Sequence, residues 1–329
     1  MRVLVRKLPA LIVTAGLLVS LSACSAGIAS TDGCTPALAT GSNAELISAD
    51  GTFGNDPRAT FPTPIVAGGA SQVAVLSEGS GTGKRVAPGA TTVMQLTIYN
   101  GKTGDSLIST KYGEPGLVIA AVETEPAFGT IAQCARVGSR VAAVGTAGDL
   151  IGDGAIQQNG LAVTKDDTVV LVVDVQSVYL GRANGADQVP GAGLPSIVLA
   201  PDGRPGFTFA DPRAPSDLKI EELKIGAGAK VREGDSVVLN YTGVIWDTQE
   251  VFDSTWERNT PAVLTAAPLD DSNGGGLVPG FAQALIGQRV GSQVIVSIPP
   301  KFGYGEGEAP ASVPAGSTMV FVFDVLGIE

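Results

Sequence analysis

Four short segments between residues 237 and 323 carry the side chains that could do chemistry: VVLNYTG (237–243), VFDST (251–255), LVPGFAQALIG (277–287) and IPPKFGYG (298–305). If their strands and helix form as the patterns dictate, Tyr241, Phe252, Asp253, Phe281, Tyr304 and Phe321 come within reach of one another. The product is a small aromatic pocket with one carboxylate in it. The chain contains no histidine, which removes His-based acid–base, Ser-His and His-metal chemistry. Such a pocket must work by shape and dipoles. Taken singly, each residue has a plainer reading: the three phenylalanines as core, Tyr304-Gly305 as a turn and Asp253 as a turn cap.

The elements that must position these residues are mostly strands. Val237, Leu239 and Tyr241 alternate with Val238, Asn240 and Thr242, while Val294, Val296 and Ile298 alternate with Ile295 and Ser297. Residues 319–326 are apolar on both faces, as a central strand requires. One short helix fits between them: Pro279 suits the first turn, Phe281 and Leu285 form an apolar stripe, and Gly287 ends it. A sheet with one apolar face and one short amphipathic helix bury those surfaces together when the sheet wraps the helix.

Order, spacing and residue type together make residues 217–329 resemble the FKBP family of peptidyl-prolyl cis-trans isomerases. The resemblance places the family's pocket tyrosine on Tyr241, its pocket phenylalanine and buried aspartate on Phe252 and Asp253, and its two apolar residues before the helix on Leu277 and Val278. The family's helix aromatic falls on Phe281, its hydroxyl donor on Tyr304, the aromatic of its last strand on Phe321 and the apolar residue closing the pocket edge on Val313. It implies that Asp253, Tyr304 and Phe252 serve catalysis and that the others hold a proline-containing exported polypeptide, with macrolides as further ligands and no cofactor. Ala262 and Ala309 stand where the family often carries larger rings, and Phe281 lacks an indole, which implies a wider pocket. A non-catalytic, client-binding chaperone module is the alternative.

The chain also repeats itself. GTFGNDPRATFPTP (51–64) is echoed by LAPDGRPGFTFADP (199–212), GSGTGKRV (79–86) by KIGAGAKV (224–231), RVGSRV (136–141) by RVGSQV (289–294) and DTVVLVVDV (167–175) by STMVFVFDV (317–325). Order and spacing persist through all four segments, so the fold class expected is α+β: two tandem FKBP-like domains, each an antiparallel sheet wrapped around one short helix. In the first copy IYNG (98–101) parallels NYTG, which sets Tyr99 against Tyr241 and Phe128 against Phe281. LISTK (107–111) sets Ile108 and Ser109 against Phe252 and Asp253, AVGTAGDLIGDG (143–154) replaces the FGYG segment, and Leu171 replaces Phe321. A folded but catalytically weak or inactive domain is expected, serving as a substrate-holding or spacing module.

The N-terminus reads as a lipoprotein leader over residues 1–23: Arg2, Arg6 and Lys7, an apolar run over 8–21, then Leu-Ser-Ala before Cys24, the expected lipidation site. A flexible tether over 24–45, a first domain over 46–180, a Gly/Pro-rich linker and lead-in strand over 181–216, and an isomerase domain over 217–329 complete the division. With Cys24 lipidated, Cys34 and Cys134 remain as an even pair, for which a disulfide is the default in an oxidising compartment and two separate thiols the alternative. Removing the leader takes the formal net charge from −11 to −14, which disfavours a nucleic-acid partner. The expected protein is a monomer, lipid-anchored to the extracytoplasmic face of the cell membrane.

Overall fold

The computed structural model describes residues 34–79, 84–114, 116–120, 128–269, 276–305 and 309–329. The leader 1–23, Cys24 and the first part of the expected tether lie outside the described residues. Chain order in the first half is β1 (Ala39–Thr40), β2 (Ser48–Asp50), β3 (Arg58–Thr60), β4 (Gln72–Ser77), β5 (Thr91–Asn100), β6 (Ser106–Ser109), β7 (Leu117–Ala120), α1 (Phe128–Ile131), β8 (Arg140–Thr146), α2 (Ala147–Leu150), α3 (Asp153–Gln158) and β9 (Thr168–Tyr179). The second half runs β10 (Ala186–Asp187), β11 (Ser196–Leu199), β12 (Pro205–Thr208), β13 (Lys219–Ile225), β14 (Ser236–Ile245), β15 (Val251–Ser254), β16 (Ala262–Thr265), α4 (Pro279–Leu285), β17 (Gln293–Ile298) and β18 (Met319–Ile328).

Two sheets of matching order result: β1-β4-β8-β9-β5-β6 with β7 also on β5, and β10-β13-β17-β18-β14-β15 with β16 also on β14. Pairing is antiparallel throughout both sheets except between β1 and β4. The central strands β9 and β18 are apolar on both faces because each face is covered. On one face of the second sheet lies α4, with Pro279 in its first turn, Phe281, Ala284 and Leu285 buried against Leu239, Val296 and Phe323, and Gly287 at φ 96° ending it. The duplication and the α+β fold are thus plain in the strand order. The first domain departs from a one-helix pattern: α2 and α3 stand where the second domain has a single 3₁₀ turn at Pro300–Phe302.

The other face of each sheet carries a covering hairpin. In the first domain β2 and β3 pair, and Ile47, Ile65, Phe61 and Ala59 pack over Tyr99, Val144, Val170 and Val172. In the second, β11 and β12 pair, and Ile197, Phe207 and Phe209 pack over Trp246, Ile295, Val320 and Val322, with Phe209 edge-on to Trp246 at 5.1 Å. Residues 181–216 are therefore built onto the second domain rather than strung out as a linker; their Gly and Pro content masks the apolar residues that pin them. Likewise the expected tether stops short, because β1 joins the first sheet and Cys34 is disulfide-bonded to Cys134, Cα–Cα 5.7 Å.

Strand register corrects the pairing of the two copies. Gln95 lies opposite Asp174 as Asn240 lies opposite Asp324, so Leu96, not Tyr99, occupies the Tyr241 position. Thr97 faces Ser109 as Thr242 faces Ser254, so Leu107 and Ile108, not Ile108 and Ser109, match Phe252 and Asp253. The hydrogen bonds agree: Leu96 N–H donates to Thr110 Oγ1 (3.0 Å) and Tyr241 N–H to Thr255 Oγ1 (2.9 Å). A three-residue slip turns a side chain to the opposite face. Tyr99 accordingly points to the hairpin side, where its hydroxyl donates to Pro57 O at 2.5 Å.

Candidate active site

The pocket begins on β14, whose inward alternation Val237, Leu239, Tyr241 ends at Gly243. A Cβ on Gly243 would stand 2.7 Å from both Phe252 Cζ and Phe321 Cε1, so the glycine is what lets those rings close against the strand. Phe252 on β15 meets Phe321 on β18 edge-on at 5.5 Å, and Phe321 meets Phe281 on α4 edge-on at 4.9 Å. Tyr241 completes the ring set, edge-on to Phe281 at 6.4 Å and to Phe321 at 6.0 Å. These are the favoured geometries for aromatic quadrupoles, each pair adding about 0.5–1.5 kcal/mol beyond the area it buries.

The Asp253 carboxylate sits at one wall. Tyr241 Oη–H donates to Asp253 Oδ2, and Arg258 Nη1 donates to Asp253 Oδ1. Arg258 Nη2 also donates to Tyr241 Oη at 3.3 Å, and its guanidinium lies 5.9 Å from the centre of the Tyr241 ring. Asp253 and Arg258 are half-exposed, so the ion pair itself is worth roughly 0–1 kcal/mol; its effect is to hold two side chains in one orientation. Burial pushes the Tyr241 hydroxyl up to about 12, helped by its bond to Asp253. Burial, and then the charge of Asp253, raises the Tyr304 hydroxyl as well. Both phenols are neutral donors at physiological pH.

Tyr304 is half-buried in the turn after the 3₁₀ segment, and its hydroxyl has no hydrogen-bond partner among the described residues. Leu277 and Val278 are half-buried at the start of α4, and Val313 is 5% exposed in the same apolar cluster. The Val278 N–H likewise has no partner among the described residues, whereas the Val278 carbonyl accepts from Phe281 and Ala282. All nine side chains singled out in the sequence for this site therefore lie in or against one cluster. Two residues escaped: Arg258, which a turn brings back over Asp253 and Tyr241, and Phe323, fully buried and stacked on Phe281 at 5.0 Å beneath the pocket. A run of alternating apolar residues does not distinguish Phe323 from its neighbours.

The site is thus an aromatic pocket between one sheet and one short helix, with neutral hydroxyl groups at its wall and rim. The family model for FKBP-type peptidyl-prolyl cis-trans isomerase matches residues 228–326. A probable FK506-binding protein of Corynebacterium glutamicum is 35% identical over 113 residues, 34% of this chain and 88% of that protein. An FK506-binding protein of Streptomyces anulatus is 29% identical over 126 residues, 38% of this chain and 97% of that one. The human peptidyl-prolyl cis-trans isomerase FKBP2 is 37% identical over 100 residues, 30% of this chain and 66% of that protein. The chain belongs to the FKBP-type peptidyl-prolyl cis-trans isomerases.

Proposed function

We propose that isomerisation is carried by the second domain alone, acting on proline-containing segments of exported polypeptides at the extracytoplasmic face of the cell membrane. Rotation about an X-Pro bond meets a barrier of about 18–20 kcal/mol set by amide resonance, and uncatalysed exchange takes tens to hundreds of seconds or so. Twisting removes that resonance and makes the amide less polar, so a pocket floored by Phe281 and Phe321 and backed by Phe323 favours the twisted form over the planar one. Tyr304 Oη–H and the Val278 N–H are the donors that hold substrate carbonyls. Tyr241, Asp253 and Arg258 keep the wall rigid, Phe252 and Val313 close the edges, and Leu277 borders the entry. Covalent chemistry and cofactors have no part in it.

The observation that carries this reading is the pairing of an apolar, ring-lined floor with two donors left unpartnered at its rim. Among the described residues of the first domain the ring-lined floor has no counterpart. Leu150, Ile151 and Ile156 from α2 and its surroundings share one buried cluster with Leu171, the counterpart of Phe321, and fill the corresponding space. Anchoring through Cys24 rests on the sequence of the leader, and among the described residues no helix is long and apolar enough to cross a membrane. Macrolide binding follows from the names of the relatives.

A proline-isomerisation assay on residues 25–329, using peptides with varied residues before proline, tests the proposal. Acceleration that drops in Asp253→Ala is the expected result. A well-folded protein without acceleration would overturn it.

A further inference from the structure

The two domains meet end to end. Leu180 N–H donates to Leu326 O at 3.2 Å, and the ring of Tyr179 lies where Gly327 leaves no room for a Cβ. Beside this contact runs a groove of about 770 Å³ walled by small residues such as Ala87, Gly89, Ala229 and Gly327. Its rim is basic. Lys84 and Arg85 line it from the first domain, and Ala229 and Val290, which line it from the second, are the chain neighbours of Lys230 and Arg289. Arg85 pairs across strands with Arg136, and Lys230 pairs with Arg289.

The Lys230–Arg289 bridge thus sets two cations side by side at the groove. Lys84, Lys230 and Arg289 are exposed and form no salt bridge among the described residues. Glu329 lines the adjoining hollow with Lys84. The chain as a whole is acidic, with a net charge of −11, so this rim is where a negatively charged surface meets attraction and most other faces meet repulsion.

The start of the described chain points the same way. Arg85 Nη1 donates to Cys134 O at 2.7 Å, and Cys134 is bridged to Cys34, which places residue 34 at the groove rim. Ten residue-to-residue steps separate Cys34 from Cys24 and span about 35 Å at most. A chain anchored at Cys24 would therefore keep this end of the molecule within about 35 Å of the bilayer.

We propose that the basic rim of the domain junction docks onto the anionic headgroups of the membrane surface. For its setting this rests on the extracytoplasmic reading above. Phe321 and Gly327 lie six residues apart on β18, so the catalytic pocket sits roughly 20 Å along the strand from the docked junction. The lipid chain retains the protein, and the rim orients it.

The test uses residues 25–329, which lack Cys24, so its result is independent of the lipid anchor; the anchor is scored separately by membrane retention of the Cys24→Ser full chain. Partition is measured into phosphatidylglycerol-containing and pure phosphatidylcholine vesicles, with inorganic phosphate binding as a third arm. Expected is partition into the anionic vesicles only, weakened by salt. Each cation near such a surface contributes about fivefold, or about 1 kcal/mol, so Lys84→Gln, Lys230→Gln and Arg289→Gln together lose about a hundredfold while isomerase turnover is unchanged. The single Lys230→Gln variant, altered at one exposed position, should lose about fivefold on its own. Lys102→Gln, Lys111→Gln and Lys165→Gln, remote from the groove, should bind as wild type. Equal partition into neutral vesicles, loss in the remote variant, no effect of the rim variants, or phosphate binding without vesicle partition would each overturn the proposal.

Discussion

In the second domain Tyr241 stands opposite Phe323 on β18; in the first, Leu96 stands opposite Val173 on β9. The substitutions continue around the same ring of positions, Leu107 for Phe252 and Leu171 for Phe321, while the threonine that pins the strand, Thr255 or Thr110, is present in both. Backbone register is thus held by one set of residues and the pocket by another. The first set suffices for a fold. Leucines in place of rings, with α2 and α3 packed over them, turn a pocket into ordinary core.

A second difference lies on the hairpin side. Each last strand carries a buried aspartate that accepts from the covering segment: Asp174 from Gly54 N–H at 2.7 Å, Asp324 from Ala183 N–H at 2.8 Å. In the first domain Arg140 answers Asp174 with two bonds, 2.6 and 2.8 Å, and spends its other donors on carbonyls of the loop after β2, including Gly51 at 2.8 Å. In the second, Gln293 takes the place of Arg140 and donates to Asp324 at 2.7 Å. Burial pushes the Asp324 carboxyl up to about 6, against the lowering effect of its bonds from Ala183 N–H and Gln293.

The largest effect that would sharpen this contrast is Arg140→Ala, which strands a buried carboxylate and should remove about 3–5 kcal/mol from the first domain. Denaturant unfolding should show that loss while isomerase turnover stays at the wild-type level. Next, Cys34→Ser with Cys134→Ser opens a bridge between residues 100 apart and should cost the first domain about 2–4 kcal/mol, again with turnover preserved. A fall in turnover with either variant would mean that the halves are not functionally separate.

A third expectation concerns pH. The folded-state pKa of Asp324 lies above its ordinary 3.8, so its contribution is fully present below about that value and is lost as pH rises through about 6. The second domain should be about 2–3 kcal/mol less stable at neutral pH than near pH 4 on this account. Comparing wild type with Asp324→Asn isolates the group from other carboxyls, since Gln293 can turn its amide oxygen toward the new side chain. The two proteins should differ at neutral pH and converge near pH 4; parallel curves would refute the assignment. Smallest is Tyr304→Phe, which removes one hydroxyl donor of about 0.5–1.5 kcal/mol and should lower kcat/KM by up to about tenfold.

Much of the pocket was legible because glycine, proline and aromatics mark positions by type: Pro279 and Gly287 bracket α4, and Gly243 marks where two rings meet the strand. The first copy was misaligned because Tyr-Asn-Gly resembles Tyr-Thr-Gly, and similarity over three residues says nothing of which face a strand presents. The spacing from Thr97 to Ser109, equal to that from Thr242 to Ser254, was the better guide to register. The covering hairpin over residues 196–208 escaped because only a few apolar residues, scattered among Gly and Pro, do the packing. Arg258 escaped because its role depends on a turn that brings it back over Tyr241, a tertiary fact with no periodic trace.

The most direct test gives the second domain the walls of the first. In residues 25–329, Tyr241→Leu, Phe252→Leu and Phe321→Leu together replace three rings by the side chains found at Leu96, Leu107 and Leu171. Prolyl isomerisation should fall to background while circular dichroism and cooperative unfolding report two folded domains. Retention of near wild-type kcat/KM by that folded variant would contradict the assignment of catalysis to this pocket.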